Sequence, residues 1–307
     1  MLQEKFILAS KMDKTPLSVL LVSPDDGDPK GLVQFSHGMA EHKERYLRVM
    51  ALLADAGYAS IIHDHRGHGE SVRAQSDLGY FYDGGADGVI ADLAQVNALL
   101  RQRYPGRKLV MVGHSMGSLA ARAYAVEHGE TLDGLLLSGS PGYNAACGAG
   151  KALTWVLQGL HLGNDRVRSK LMDAMLNGPF EKNFKGDSHF LWLSANRDNV
   201  SEYEADPLCG FGFTLNGYRA LLTLMQRAYD TQTRLPESLP VRFMSGEDDP
   251  CAIGRRGFDA AVENIRARGP KSVEAKMYPG LRHEIFNERS DEVDGDLLAF
   301  VEAVCGA

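Results

Sequence analysis

With 307 residues, 44% of them hydrophobic, the chain is long enough to bury a sizeable core as one large domain or two smaller ones. Asp and Glu (40) outnumber Lys and Arg (33), for a formal net charge of −7. That balance argues against a nucleic-acid partner and supplies no polybasic membrane anchor.

No run of about 18 apolar residues occurs, so no transmembrane segment is expected. Residues 1–10 lack a signal-peptide pattern. Cys147, Cys209, Cys251 and Cys305 are dispersed without CxxC spacing, as expected of reduced thiols in a cytoplasmic protein.

In chain order, apolar runs at 6–9 and 17–22 read as an antiparallel strand pair, followed by a turn-rich stretch at 23–30. Residues 31–36 read as a strand, 44–56 as a helix stopped before Gly57, and 59–63 as a strand. Val89, Ile90, Leu93, Val96 and Leu100 recur at helical spacing across 88–104, a run ended by Pro105. Then come a strand at 108–112, a helix at 116–128 and a strand at 135–138. Late in the chain follow strand 240–245, helix 257–267, strand 272–277 and helix 291–304.

Strands separated by helices of this length imply βαβ crossovers. The expected fold is α/β, a mostly parallel eight-stranded sheet with helices on both faces. Residues 141–236 break the alternation with helical, apolar patches, including Leu153, Trp155, Val156, Leu157 and Leu160. The expected organisation is therefore a core domain, 1–140 with 237–307, and an inserted helical cap or lid over 141–236.

The sharpest signal is Gly113-His114-Ser115-Met116-Gly117, a G-x-S-x-G between an apolar strand and a helix-compatible run. The glycines allow a sharp turn that lifts the Ser115 hydroxyl above the sheet edge as a nucleophile. The helix amino terminus beneath it favours developing negative charge. One oxyanion donor should be the backbone N–H of Met116, the residue after the nucleophile.

Together with His37-Gly38-Met39-Ala40-Glu41-His42, Asp64-His65-Arg66-Gly67-His68-Gly69-Glu70-Ser71 and His283-Glu284-Ile285-Phe286-Asn287-Glu288, this motif resembles the α/β-hydrolase superfamily. It is most similar to the monoacylglycerol lipase and lysophospholipase-like branch, which carries a serine aminopeptidase S33-type hydrolase domain. The resemblance implies an α/β-hydrolase fold, a catalytic triad and a carboxylic-ester substrate.

Triad partners in this fold follow in the order Ser, Asp or Glu, His. Of the downstream histidines, His128, His161, His189 and His283, only His283 lies in a loop between a late strand and the last helix. It is the expected base. Glu247, Asp248 and Asp249 follow strand 240–245. Asp249 is chosen because Pro250 fixes the direction of the preceding residue, and because the family carries its acid in a G-x-x-D pattern; Asp248 is the runner-up.

Matching His37-Gly38-Met39 to the family pattern makes the Met39 N–H the second oxyanion donor. The same matching puts Glu41 and Arg45 near the polar head of the substrate, with a loop-ordering ion pair as the competing account. His37 and His114 read as supporting residues rather than bases.

A zinc reading of His63-Asp64-His65-Arg66-Gly67-His68 leaves the elbow unexplained. It also meets Gly67 where an aspartate is needed. The simpler account is a loop that packs Arg66 and Asp64 under the site. In the cap, Trp155, Phe180, Phe190, Trp192, Phe211, Phe213, Tyr218, Met172 and Met175 could line an acyl pocket, although each alone reads as cap core. Residues 206–211 read as a tight connection, and helix 215–229 as amphipathic with one face on the main domain.

The expected function is hydrolysis of a lipid-like carboxylic ester, a monoacylglycerol or lysophospholipid, through an acyl-enzyme, with no cofactor or metal. The expected partner is a small lipid or ester, with transient membrane contact through the cap. An aminopeptidase or amidase using Glu202 and Glu204, or a non-catalytic binding member of the fold, are the alternatives.

Overall fold

The computed structural model describes residues 1–306 apart from Asn177 and Asn183. Apolar runs buried on both faces build the centre of one sheet. Its strands are β1 (Leu2–Ala9), β2 (Pro16–Ser23), β3 (Leu32–Ser36), β4 (Ala59–His63), β5 (Leu109–His114), β6 (Gly134–Ser138), β7 (Val241–Gly246) and β8 (Val273–Tyr278). They pair in the order β1-β2-β4-β3-β5-β6-β7-β8. β1 and β2 run antiparallel to their neighbours, and β3 to β8 run parallel. The alternating exposed and half-buried residues of β1 suit an edge strand, whereas β3 to β6 are buried throughout.

Helices cover both faces. On one side lie α1 (Leu47–Asp55) and α10 (Asp291–Cys305); on the other lie α2 (Gly85–Arg103), α3 (Met116–His128) and α9 (Gly254–Arg266). Ser290 caps α10 by accepting from the Val293 N–H, and Asp291, Glu292 and Asp294 stand in its first turn.

Three helix starts differ from the sequence reading: α9 begins at Gly254 rather than 257, and α1 and α2 shift for tertiary reasons. The chain enters α1 through a 3-10 turn, Lys43–Tyr46. There Asp64, just past β4, accepts from the Lys43 backbone N–H (2.7 Å) and ammonium (2.8 Å). α2 begins three residues before 88. Gly88 gives its first turns room beside the buried Arg66 guanidinium: a Cβ there would stand 2.2 Å from Arg66 Cζ. Arg66 in turn bonds Asp92 on α2 and Asp13.

Between β6 and β7 run α4 (Cys147–Leu160), α5 (Lys170–Leu176), α6 (Gly178–Glu181), α7 (Arg197–Ala205) and α8 (Leu215–Ala228). Thr214 caps α8, which packs on α2, α3 and α4 and buries Leu215, Leu222 and Leu224. Burying such a side chain is worth about 1.5–3 kcal/mol, which holds this helix to the sheet domain.

Candidate active site

Strand order reverses at β3, whose neighbour on one side is β4 and on the other β5. Crevices at the carboxyl ends of parallel strands beside such a reversal are where open α/β sheets bind ligands. Met39 follows β3, Ser115 follows β5, Asp249 follows β7 and His283 follows β8, all at that one edge.

Ser115 adopts φ 52° and ψ −120°, a backbone conformation that non-glycine residues rarely hold. The turn is locked from several sides. The Ser115 N–H donates to Ser138 O (3.0 Å), while the Ser118 N–H and hydroxyl donate to Ser115 O (2.9 and 2.6 Å). Gly117 must be glycine, because a Cβ there would sit 2.0 Å from Ser36 O. α3 thereby presses against the end of β3.

His283 Nε2 lies 2.8 Å from Ser115 Oγ, and His283 Nδ1 lies 3.0 Å from each Asp249 oxygen. Asp249 also accepts from the Cys251 N–H (2.8 Å) and the Ser245 hydroxyl (3.1 Å), which fix its orientation. Burial disfavours a charged His283, but the Asp249 carboxylate outweighs it and raises the imidazole well above its ordinary range. His114, its ring tilted 4.7 Å from the His283 ring, is held well below its range by burial and by His283 itself. The two adjoining imidazoles are thus shifted in opposite directions. Asp248 makes no bond to the imidazole; its N–H donates to Leu281 O.

Met116 opens α3, where a helix N–H has no partner within the helix. Met39, Met116 and Ser115 all line the same cavity, of about 580 Å³. Glu41 lies at the cavity wall, and Arg45 does not. Glu41 accepts from the Gly38 N–H, the Tyr46 hydroxyl (3.0 Å) and Arg45 Nε (3.2 Å). Arg45 also donates to Glu284 and to Asn199 (3.0 Å), and its guanidinium lies 4.7 Å above the Tyr203 ring. Burial and Glu284 raise the Glu41 carboxyl, with Arg45 opposing. Both side chains are thus engaged in an internal network, which matches the loop-ordering ion pair better than a head-group contact.

Glu284 and Asn199 complete this network and escaped sequence reasoning. Glu284 could have been suspected from its place beside His283; Asn199, on α7, carried no local signal.

The histidine-rich turn is buried. Lys43 and the backbone N–H groups of Lys43 and Glu70 occupy Asp64, as the packing account expects. Of the aromatic and methionine candidates, Phe180, Phe190, Trp192, Phe211 and Met175 line the cavity. Phe213, Tyr218 and Met172 are buried core, and Trp155 is 57% exposed beneath Arg219. The Trp192 ring lies tilted 5.3 Å from the His283 ring, on the same cavity wall.

A mostly parallel eight-stranded sheet with a serine at the strand–helix turn is the α/β-hydrolase fold, and this chain is an α/β-hydrolase. A solved carboxyl esterase from Bacillus coagulans superposes with a TM-score of 0.91 at 27% identity, covering 99% of each chain. A lipase solved in an open form gives 0.85 at 26% identity over the full length of both. The chain belongs to the serine aminopeptidase S33 family, which matches residues 27–290. Within reach of it is the monoacylglycerol lipase of Mycolicibacterium smegmatis, 29% identical over 86% of this chain and 84% of that protein.

Proposed function

We propose that this protein is a carboxylic ester hydrolase acting on lipid-like esters, monoacylglycerols or lysophospholipids, through an acyl-enzyme on Ser115. The observation that carries the reading is the unbroken Ser115–His283–Asp249 contact, 2.8 Å and then 3.0 Å. Ser115 Oγ attacks the ester carbonyl as His283 Nε2 takes its proton. The N–H groups of Met39 and Met116 receive the negative charge that develops on the carbonyl oxygen. His283 then hands the proton to the departing alcohol, and a water activated by the same imidazole releases the acid.

Residues 141–236 serve as the cap. Their side chains Phe180, Phe190, Trp192 and Phe211, with Leu221 and Met225, supply the apolar wall that an acyl chain needs. The amide alternative draws no support from Glu202 and Glu204, which are exposed on α7 and do not line the cavity.

A fluorophosphonate probe should label wild type and not Ser115→Ala. That substitution should also lower ester turnover by about four to six orders of magnitude. A drop below about tenfold would move the nucleophile elsewhere. A panel of monoglycerides, lysophospholipids and proline amides ranks the substrates, and faster amide than ester cleavage would overturn the ester reading.

Among the described residues, no helix is long and apolar enough to cross a membrane. The exposed Trp155, Val156, Leu160 and Leu162 in the cap support transient contact with lipid surfaces. Leu160→Asp with Leu162→Asp should weaken co-sedimentation with phosphatidylcholine vesicles while leaving turnover of a water-soluble ester unchanged. Equal sedimentation of both proteins would remove this contact.

A further inference from the structure

The strap that follows α7, residues 206–210, crosses the loop that follows β3, and side chains suited to a metal converge there. His42 Nε2 lies 2.9 Å from Asp206 Oδ2. The His42 imidazole, the Asp206 carboxylate and the half-buried Cys209 thiol offer ligand atoms within 4.8 Å of one another. None of the three lines the catalytic cavity, so the acylation chemistry does not account for them.

The backbone around the cluster is braced. Gly210 N–H (3.0 Å) and the Tyr203 hydroxyl (2.9 Å) both donate to Ala40 O, clamping strap to loop. The Leu208 N–H donates to Asp206 Oδ1 (2.8 Å), leaving Oδ2 to face the imidazole. Behind the ring, Glu44 Oε2 lies 2.8 Å from His42 Nδ1.

We propose that His42, Asp206 and Cys209 form a zinc(II) site that bolts the strap to the loop carrying the Met39 N–H, with Glu44 orienting the imidazole. One nitrogen, one oxygen and one sulfur are the donor set of a borderline-soft ion. Bonds of about 2.0–2.3 Å place tetrahedral donors roughly 3.3–3.8 Å apart, a modest adjustment of the spacing here. A carboxylate on the far nitrogen of a ligating histidine is the usual outer partner, fixing both tautomer and ring direction. Asp206, 32% exposed at its side chain, gives the ion a way in and leaves a fourth position for water.

Charge balances as well. Zinc is ligated by neutral His42 Nε2, the Cys209 thiolate and the Asp206 carboxylate, and the protons displaced from the ligands pass to solvent. The thiolate and the carboxylate together neutralise the dication. An ion pair between His42 and Asp206 would need no sulfur, and the thiol is what the test follows.

The full chain, stripped of metal, is titrated with cobalt(II) and then with zinc(II). Wild type should bind one equivalent of cobalt with a thiolate-to-cobalt charge-transfer band, which zinc abolishes, and zinc should raise its Tm. Cys209→Ser should lose both the band and the zinc-induced Tm rise, while still taking the fluorophosphonate label as proof of fold. Cys251→Ser, which removes the thiol beside Asp249 and His283, should keep the band. Glu44→Gln should keep the band with about 10- to 100-fold weaker affinity. Absence of the band in wild type, or its loss in Cys251→Ser with retention in Cys209→Ser, overturns the site.

Discussion

At His283 two influences oppose each other, and the outcome sets the pH range of the reaction. Burial resists the imidazolium and Asp249 stabilises it, with Asp249 prevailing. The base works only when Nε2 is free of its proton, so kcat/KM should fall as pH drops through a midpoint above 6.5. Asp249→Asn should move that midpoint lower and reduce kcat about 10⁴-fold, both read from a pH–rate profile. An unmoved midpoint would detach Asp249 from the base. The contact among Ser115, Asp249 and His283 was legible because a motif, a chain order, and Pro250 with the family's G-x-x-D pattern each narrowed the choice. Glu284 and Asn199 were not, because the network they complete joins a loop, a helix and the base-bearing turn that are distant in sequence. Charge alone does not say whether Arg45 meets a substrate or a second carboxylate.

At the scale of elements, the sheet and its flanking helices were legible from period and punctuation. Boundaries slipped where a remote side chain decided them: Asp64 holding Lys43, and Arg66 filling the space beside Gly88. The insert between β6 and β7 was legible as helical but not in its interior. Phe213, packed against His68, Phe81 and Tyr218, and Phe180, beside Trp192 at the cavity wall, are both apolar residues at permitted spacing, and only their tertiary neighbours separate them. Met225 faces the cavity from α8. Met225→Trp should therefore narrow the apolar wall and lower kcat/KM for long-chain esters more than for acetyl or butyryl esters. A chain-length panel checks this, and an unchanged profile would place the acyl group elsewhere.

At the scale of the whole molecule, the buried histidines should make it less stable in acid. Burial holds His37, His65 and His114 well below their usual range, His63 at about 3 and His68 at about 4. As pH falls below about 6.5, the unfolded chain takes up these protons and the folded chain does not. Each such group then removes about 1.4 kcal/mol of stability per pH unit until its folded value is reached. His42 and His283 are shifted upward; their contribution is complete below 6.5 and is lost only as pH rises, so they add nothing to the acid loss. Urea unfolding at pH 5 should give a stability lower than at pH 7 by on the order of several kcal/mol, and equal values would contradict this accounting.

The register of β6 on β7, Leu135 opposite Val241 through Ser138 opposite Met244, has a consequence for descent. The chain leaves the sheet and returns one strand over, so everything between is a closed excursion. Doubling the length of such an excursion costs only about 0.6 kcal/mol in loop entropy. A lineage can therefore redraft this insert while the proposed site, spread over the ends of β3, β5, β7 and β8, stays untouched.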